Sequence, residues 1–255
     1  MEVKIISECY AKGENPEYLF WVGSAGSFDI RSKKITRAFV SILNKANIDF
    51  AVLGKEESSS GDVAKRAGNE FLFQMQALMN IEILNNYSVK KIITTCPHSY
   101  NVLKNEYKSL GGDYHVFHHT EFLLDIINSG KLKLVKDISN KKVTYHDPCY
   151  LGRGNSIYDE PRELIRSLGI ELVEMKRSKR KSFCCGAGGA QMFKEPEKGS
   201  KDINIERTEE AISCNIDTII TACPFCNTMM SDGIKSLKDG EVDVLDIVEL
   251  INESI

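Results

Sequence analysis

Lys91-Ile-Ile-Thr-Thr-Cys-Pro-His-Ser99 is repeated almost unchanged as Thr218-Ile-Ile-Thr-Ala-Cys-Pro-Phe-Cys226, at an offset of 127 residues. Both stretches begin with a short β-branched apolar run, which predicts a strand. Both then reach Cys-Pro where the run ends. Because the offset is about half of the 255-residue chain, the repeat indicates an internal duplication.

The repeat continues upstream of these two stretches. An offset of 125 residues brings Ser24 onto Cys149, and it also brings Ser59-Ser60-Gly61 onto Cys184-Cys185-Gly186. The interval between the matched positions therefore has the same length in both halves. We interpret the chain as a duplicated unit.

Strand and helix patterns alternate in both halves. Residues 32–46 place Ile35, Phe39 and Ile42 on one helix face, and Ser32 is a candidate cap for that helix. Strands are predicted over residues 20–22, 50–53, 90–95, 114–117, 142–145, 172–175, 217–221 and 242–245. This alternation predicts an α/β fold of two pseudo-symmetric lobes with mainly parallel sheets.

A polar stretch, residues 137–141, separates the two halves. It lies between a helix pattern, 120–129, and the strand that leads to Cys149. We place the domain boundary in this stretch, so the predicted domains are 1–138 and 139–255.

Composition and charge exclude several classes of protein. A net charge of -3 gives no reason to expect a nucleic-acid partner. No apolar run is long enough for a membrane span, and the first residues lack the order of a signal peptide, so we expect a cytoplasmic protein. The eight cysteines would stay reduced there, and their spacing is best tested against metal ligation.

Six of the eight cysteines lie in the second half, and five of these six are at the ends of predicted strands or in a glycine-rich loop. These five are Cys149, Cys184, Cys185, Cys223 and Cys226. Since ligands bind at the carboxyl ends of strands in open α/β sheets, these loops can converge. Four thiolates complete a zinc site or an ordinary iron–sulfur cluster, and five exceed that need. The set predicts metal or cluster binding.

Two other functions remain open at this point. A structural zinc site could use Cys149, Cys184 or Cys185, Cys223 and Cys226. A metal-free thiol oxidoreductase could use Cys223-x-x-Cys226 alone, although that leaves the other three cysteines without a role. Outside the set, Cys9 and Cys214 are interpreted as structural, and the basic run 176–181 as a solvated loop rather than a patch for a partner subunit.

The spacing Cys149-x34-Cys184-Cys185-Gly186-x37-Cys223-Pro-Phe-Cys226 resembles the CCG or cysteine-rich domain family. That family includes the B-type subunit of heterodisulfide reductase, the iron–sulfur subunits of glycolate and lactate oxidation systems, and stand-alone bacterial iron–sulfur-binding proteins. The resemblance implies two Rossmann-like lobes and one [4Fe–4S] cluster, in a non-cubane or a cubane form. All five cysteines would be ligands, with Cys185 as the additional, fifth one.

The resemblance also implies a function. We expect an electron-transfer subunit of a heterodisulfide-reductase-like redox complex, which reduces a disulfide or exchanges electrons with ferredoxin-type or flavoprotein partner subunits. A strand followed by GxGxxG is absent, so we expect no bound NAD or flavin on this chain. Contact with a membrane would come only through partners.

The first half departs from the family pattern. Ser24, Ser59 and Ser99 stand at positions where the repeat has cysteines, Ser60 matches Cys185, and Cys96 remains. A serine hydroxyl is a poor substitute for a thiolate. We expect the first lobe to be free of a cluster.

Histidines supply the other candidate site residues. His146 precedes Asp147-Pro148-Cys149 and is the candidate proton donor for disulfide reduction, or alternatively a supporting residue that hydrogen-bonds near the cluster. His98, His118 and His119 could form a zinc site with Cys96, but packing or helix capping is the preferred interpretation for them.

Overall fold

The computed structural model describes residues 2–195, 198–238 and 240–255. The chain divides into two compact units, Met1–Leu132 and Lys133–Ile255. The boundary predicted from the sequence lies between residues 138 and 139. That the first unit lacks a cluster and the second binds one stays a prediction.

Strands and helices alternate through both units. The first unit contains β1 (Lys4–Ile5), α1 (Ile6–Ala11), β2 (Tyr18–Trp21), α2 (Gly23–Phe28), α3 (Ile30–Lys45), β3 (Phe50–Val52), α4 (Asp62–Arg66), α5 (Glu70–Asn86), β4 (Lys91–Thr94), α6 (Pro97–Asn101), β5 (His115–His118) and α7 (His119–Asn128). The second unit contains β6 (Lys142–Tyr145), α8 (Gly152–Asn155), α9 (Glu160–Ser167), β7 (Glu171–Leu172), α10 (Ile203–Ile212), β8 (Thr218–Thr221), α11 (Pro224–Lys238), β9 (Asp243–Asp246) and α12 (Ile247–Ser254).

The strand order of the two sheets reveals the duplication. The first sheet has the order β1-β3-β2-β4-β5, and the second has the order β7-β6-β8-β9. With β2 matched to β6, the last four strands of the first sheet follow the same order as the second sheet. All of the pairings are parallel. The predicted α/β fold of two related Rossmann-like lobes is confirmed.

Each sheet has one point at which the strand order reverses. Within the four strands that the two sheets share, the first strand, β2 or β6, has its successor, β3 or β7, on one side and the third strand, β4 or β8, on the other. In β6 and β8, Val143 pairs with Thr218 and Thr144 with Ile219. Ligands of open α/β sheets bind outside the carboxyl ends of the strands at such a reversal. The reversal in the second unit therefore lies between the strands that lead to Cys149 and Cys223.

Two details of the predicted elements are wrong. The helix expected to begin near Ser32 is α3, and its N-cap is Asp29, whose carboxylate accepts a hydrogen bond from the Ser32 backbone N–H at 2.7 Å. Ser32 is itself buried in the first turn. Strand β1 was not predicted, because its two residues are too few to show a period-two pattern.

Candidate metal centre

The five predicted cysteines are carried by three loops at the carboxyl edge of the second sheet. Cys149 follows β6 after a three-residue connection, and Cys223 follows β8 after Ala222. Cys226 lies in the first turn of α11. Cys184 and Cys185 are consecutive residues in the loop between β7 and α10. The structure therefore brings together residues that are up to 77 positions apart in the sequence.

The five thiols form a continuous series of side-chain interactions. Cys149 and Cys185 both interact with the Cys184 thiol. The Cys185 and Cys226 sulfurs are 3.3 Å apart, and Cys226 also interacts with Cys223. All eight cysteines of the chain are free thiols. Five soft donors thus meet at one place with no disulfide between them.

The burial of the cysteines differs along this series of interactions. Cys185, Cys223 and Cys226 are buried and pack with Ala187, while Met192, Phe225 and Met229 cover them. Cys149 and Cys184 are only partly buried. The site therefore has a closed apolar side and a side that solvent or a substrate can reach.

Mutual contact also sets the acidity of these thiols. Hydrogen bonds from Cys149 and Cys185 lower the pKa of Cys184. Hydrogen bonding to Cys184 and burial raise the pKa of Cys149, and hydrogen bonding to Cys185 and Cys223 raises the pKa of Cys226. One thiolate is stabilised at the expense of its neighbours. Ionising a second thiol beside it is opposed by like-charge repulsion, which a bound metal cation would offset.

Gly186 gives the loop its shape. It has a φ of 94°, and its N–H donates to the Cys184 sulfur at 3.3 Å. The first unit repeats this turn, since Gly61 has a φ of 87° and its N–H donates to the Ser59 hydroxyl oxygen at 3.2 Å. Only glycine adopts this left-handed conformation at no steric cost. The same turn thus presents sulfur in one unit and oxygen in the other.

His146 is fully enclosed at the end of β6. Its backbone N–H donates to the Ile220 carbonyl at 2.9 Å. A ring nitrogen lies within 4.8 Å of the Cys185 and Cys226 sulfurs, and Arg207 Nε donates to its Nδ1 at 3.0 Å. Burial, followed by the positive charge of Arg207, lowers the pKa of His146 to about 3. His146 is therefore a neutral imidazole at neutral pH.

An ion-pair network supports the loop between β6 and Cys149. The guanidinium of Arg162 donates to both carboxylate oxygens of Asp147, at 2.7 and 2.9 Å, and to those of Glu174, at 2.6 and 2.9 Å. The Lys179 backbone N–H donates to Asp147 at 2.7 Å. Burial opposes the charge of Arg162, but its hydrogen bonds to Asp147 and Glu174 raise its pKa above the usual value.

Sequence reasoning missed Arg162, Glu174 and Arg207 as contributors to this site. Both arginines are fully buried on helices. Arg207 lies one turn from Ile203 and from Ala211 in α10, which places a cation in the apolar stripe of the helix. A charged residue at such a position is a usable signal, since a charge is almost never fully buried unless it is paired.

The basic run 176–181 is in part a structural element. Arg177 pairs with Glu206 and Glu210, at 2.9 and 2.8 Å, and Lys179 pairs with Asp159 at 2.8 Å. The backbone carbonyl of Arg177 also accepts a hydrogen bond from the Arg207 guanidinium. These contacts fasten the run, which lies in the same loop as Cys184, to α10 and to the start of α9.

The first unit has the equivalent positions with only one of the five thiols. Ser24 lies in α2, Ser59 and Ser60 precede α4, and Cys96 and Ser99 lie at the start of α6. Cys96 and Ser99 are buried, as are the matching Cys223 and Cys226. The scaffold is thus retained while four of the five soft donors are replaced by hydroxyls.

The histidines of the first unit are used for structure. His98 Nδ1 is 2.8 Å from the Asp62 carboxylate, which also pairs with Arg66. His118 is the N-cap of α7 and forms a capping box with Glu121. Among the described residues, no group of these histidines with Cys96 reaches metal-ligating distances. The interpretation as packing and capping residues is confirmed for His98 and His118.

Glu57 is an acidic group of the first unit that contacts the backbone just after β2. Its carboxylate accepts hydrogen bonds from the backbone N–H groups of Val22 and Gly23, at 3.0 and 2.5 Å. Burial nevertheless raises its pKa from 4.5 to about 7, because the two hydrogen bonds offset only part of the cost of desolvation.

We expect Glu57→Gln to gain stability relative to the wild type between pH 5 and pH 8. The folded state holds the Glu57 proton more tightly than the unfolded state, so the wild-type stability is full below about pH 4.5 and falls as the pH rises through about 7. The difference in free energy of unfolding should grow by about 1–3 kcal/mol. Urea titrations followed by the fluorescence of Trp21, the single tryptophan, measure it in this unit. Exposed Glu56, changed in the same way, is the control, and an unchanged difference for Glu57→Gln would contradict the prediction.

No helix in the described part of the chain combines the length and the apolar character needed to cross a membrane.

Comparison with known proteins gives a family match in both units. The model of the cysteine-rich domain, CCG, matches residues 18–104 and 143–231. A probable iron-sulfur-binding oxidoreductase, FadF, of Bacillus subtilis (strain 168) is 46% identical over 256 residues, covering 100% of this chain and 36% of that protein. The EtfAB:quinone oxidoreductase of Syntrophomonas wolfei is 46% identical over 246 residues, covering 94% of this chain and 34% of that protein.

A more distant relative comes from an archaeon. One subunit of the dihydromethanophenazine:CoB--CoM heterodisulfide reductase of Methanosarcina barkeri is 37% identical over 221 residues, covering 84% of this chain and 53% of the relative. The chain therefore spans between about a third and about half of the length of these relatives.

Proposed function

Because the chain belongs to the cysteine-rich CCG domain family, we propose that its second unit binds one iron–sulfur cluster and transfers electrons through it. The proposed ligands are Cys149, Cys184, Cys185, Cys223 and Cys226. The observation that carries this proposal is the continuous series of interactions among the five thiols. The names of the relatives, which include an iron-sulfur-binding oxidoreductase and a heterodisulfide reductase subunit, support the same function.

The donor set fits a cluster better than a zinc ion. A tetrahedral zinc site uses four ligands, and a fifth thiol left within 3.3 Å of a ligand sulfur would have no role. A cluster contains several metal atoms and can use adjacent cysteines such as Cys184 and Cys185. When it is bound, the cluster supplies one-electron transfer.

The chain's own residues prepare the site for such a group. Gly186 presents its N–H to the Cys184 sulfur, where it stabilises negative charge. Met192, Phe225 and Met229 exclude water from the side formed by Cys185, Cys223 and Cys226. A low local dielectric and N–H donors to sulfur are the means by which a protein tunes a cluster's potential.

A metal-free thiol oxidoreductase is the weaker alternative. Thiol–disulfide exchange requires an accessible thiolate. Cys223 and Cys226 are 0% and 2% exposed, so the CxxC pair alone cannot meet a disulfide substrate. The accessible side of the site is formed by Cys149 and Cys184, and we place an acceptor such as a disulfide on that side.

The proposal also covers the compartment, the type of cluster and the partner subunits. We propose a cytoplasmic oxidoreductase unit with one [4Fe–4S] cluster, in a cubane or a non-cubane form. Electrons would come from or pass to ferredoxin-type iron–sulfur or flavoprotein subunits, because the motifs of such domains are missing from this chain. Relatives named as subunits of heterodisulfide reductase support a complex of this kind.

Metal and sulfide analysis of the protein purified without oxygen tests the proposal. We expect about four iron and about four acid-labile sulfide per chain, with an EPR signal that appears or disappears on reduction. The same analysis of a variant with all five cysteines changed to serine is the control and should give neither. About one zinc per chain with no labile sulfide would refute the cluster and favour the structural zinc site.

A further inference from the structure

Arg207 is a fully buried cation whose contacts all serve the candidate metal centre. Its Nε donates to His146 Nδ1 at 3.0 Å, and one terminal nitrogen donates to the Arg177 carbonyl and to Glu210, both at 2.9 Å. The other terminal nitrogen donates to the Ser182 hydroxyl at 3.4 Å. A side chain held from three directions at 0% exposure has little freedom to turn. The direction of its hydrogen bond to His146 is therefore fixed.

This hydrogen bond determines the protonation pattern of the imidazole. A guanidinium has five donors and no acceptor, and it does not lose its charge in proteins. Nδ1 of His146 must therefore be the acceptor. In a neutral imidazole one ring nitrogen accepts and the other carries the proton, so the proton of His146 is on Nε2.

The position of this proton also determines whether His146 can ligate a metal. A histidine that ligates a metal through one nitrogen almost always donates the N–H of the other to a carboxylate, a carbonyl or water. Arg207 offers a donor at that place, so His146 is the wrong tautomer for a ligand. The protonated Nε2 can instead donate a hydrogen bond, and one ring nitrogen of His146 lies within 4.8 Å of the Cys185 and Cys226 sulfurs.

We propose that Arg207 is a positioning residue that holds His146 as its Nε2–H tautomer, so that His146 donates a hydrogen bond to sulfur of the bound cluster and does not ligate metal. This inference rests on the proposed function in taking the bound group to be an iron–sulfur cluster. The tautomer of His146 does not depend on the proposed function. A donor to sulfur stabilises the reduced, more negative form of a cluster and so raises its reduction potential.

The tautomer is tested in the metal-free chain, with no cluster required. Nitrogen-15 NMR of ring-labelled histidine, in a protein whose five cysteines are serine, should show His146 protonated on Nε2 alone. Arg207→Lys keeps a charge and a donor and should preserve this pattern, whereas Arg207→Gln should allow the Nδ1–H form to appear. A proton on Nδ1 in the chain with Arg207 intact would overturn the proposal.

The hydrogen bond to sulfur is tested in the cluster-loaded full chain by redox titration followed by EPR. His146→Gln can accept from Arg207 and donate to sulfur, whereas His146→Met has a similar size, accepts only weakly and cannot donate. We expect His146→Gln to stay near the wild-type potential. His146→Met should shift the ratio of reduced to oxidised protein about tenfold toward oxidised at a fixed potential, which equals about 59 mV for one electron.

The outcomes of the two tests separate the inference from the proposed function. Equal potentials for His146→Gln and His146→Met would overturn the hydrogen bond to sulfur. Nitrogen coupling in pulsed EPR that identifies His146 as an iron ligand would do the same. A protein that binds zinc and no sulfide would refute the proposed function while the NMR result still stands by itself.

Discussion

Changing Cys226 to serine is expected to reduce bound iron and labile sulfide at least about tenfold, the largest effect of any single substitution in this chain. Cys226 is 2% exposed and interacts with both Cys185 and Cys223, so it lies inside the series of thiol interactions. A serine hydroxyl is a hard, weakly acidic donor and would leave a polar group unligated in an apolar environment. Iron, sulfide and EPR measurements on the protein purified without oxygen give the result.

A matched control is available in the same unit. Cys214 is a free, partly buried thiol that follows α10 and hydrogen-bonds to the Glu174 and Glu210 carbonyls. Cys214→Ser should leave the iron and sulfide content at the wild-type level. If Cys214→Ser lost the cluster as Cys226→Ser does, the loss would reflect general instability and not ligation.

Cys185→Ser tests the form of the cluster. A non-cubane cluster that uses all five cysteines should be lost in this variant. A cubane cluster held by Cys149, Cys184, Cys223 and Cys226 should remain, with an altered EPR spectrum because the Cys185 sulfur contact at 3.3 Å is gone. Measured side by side with Cys226→Ser, this variant decides between the two forms that the sequence left open.

Replacing Asp147 with alanine is expected to lower the free energy of unfolding of the second unit by about 3–5 kcal/mol. Arg162 is 0% exposed and Asp147 is 4% exposed, so the substitution leaves a buried guanidinium with only Glu174 for compensation. It also leaves the Lys179 backbone N–H without its acceptor. The effect is large because an unpaired buried charge is very poorly solvated.

The partner of Arg162 on the surface supplies the control. Glu174 has a side chain 38% exposed, so Glu174→Gln should cost less than about 1 kcal/mol. Urea unfolding should be followed by hydrogen exchange of the amides in β6 and β8, because Trp21, the single tryptophan, lies in the first unit and reports only there. Equal losses for Asp147→Ala and Glu174→Gln would contradict the buried network as the cause.

The duplication and the convergence of the five cysteines could be predicted because both depend on local sequence patterns. The repeated Ile-Ile-Thr-x-Cys-Pro segment contains the β-branched residues of β4 and β8, which are buried. Continuous apolar runs of this kind are typical of parallel strands whose two faces are both covered by helices. The convergence of the five cysteines was expected because the carboxyl ends of parallel strands meet at one edge of the sheet. The five are Cys149, Cys184, Cys185, Cys223 and Cys226. The predicted fold class was confirmed by the strand order.

Helix limits were less predictable, as α3 shows. Asp29 and Ser32 are both good capping residues, and the sequence offers no local means to choose between them. The backbone of Asp29 is extended while that of the following residues is helical, so the carboxylate of Asp29 reaches the free N–H of Ser32. The choice depends on where the chain leaves α2.

By itself, the sequence determined that two related α/β units exist and that only the second has the full set of five thiols at the matched positions. Tertiary structure alone decided the environment of those thiols, because Arg207 on α10 meets His146 after β6 across 61 residues of chain. No local pattern states which face of α10 is buried or which nitrogen of His146 receives the guanidinium. Both contacts are defined only when α10 is packed on the sheet, because the buried guanidinium of Arg207 must then be paired with hydrogen-bond acceptors.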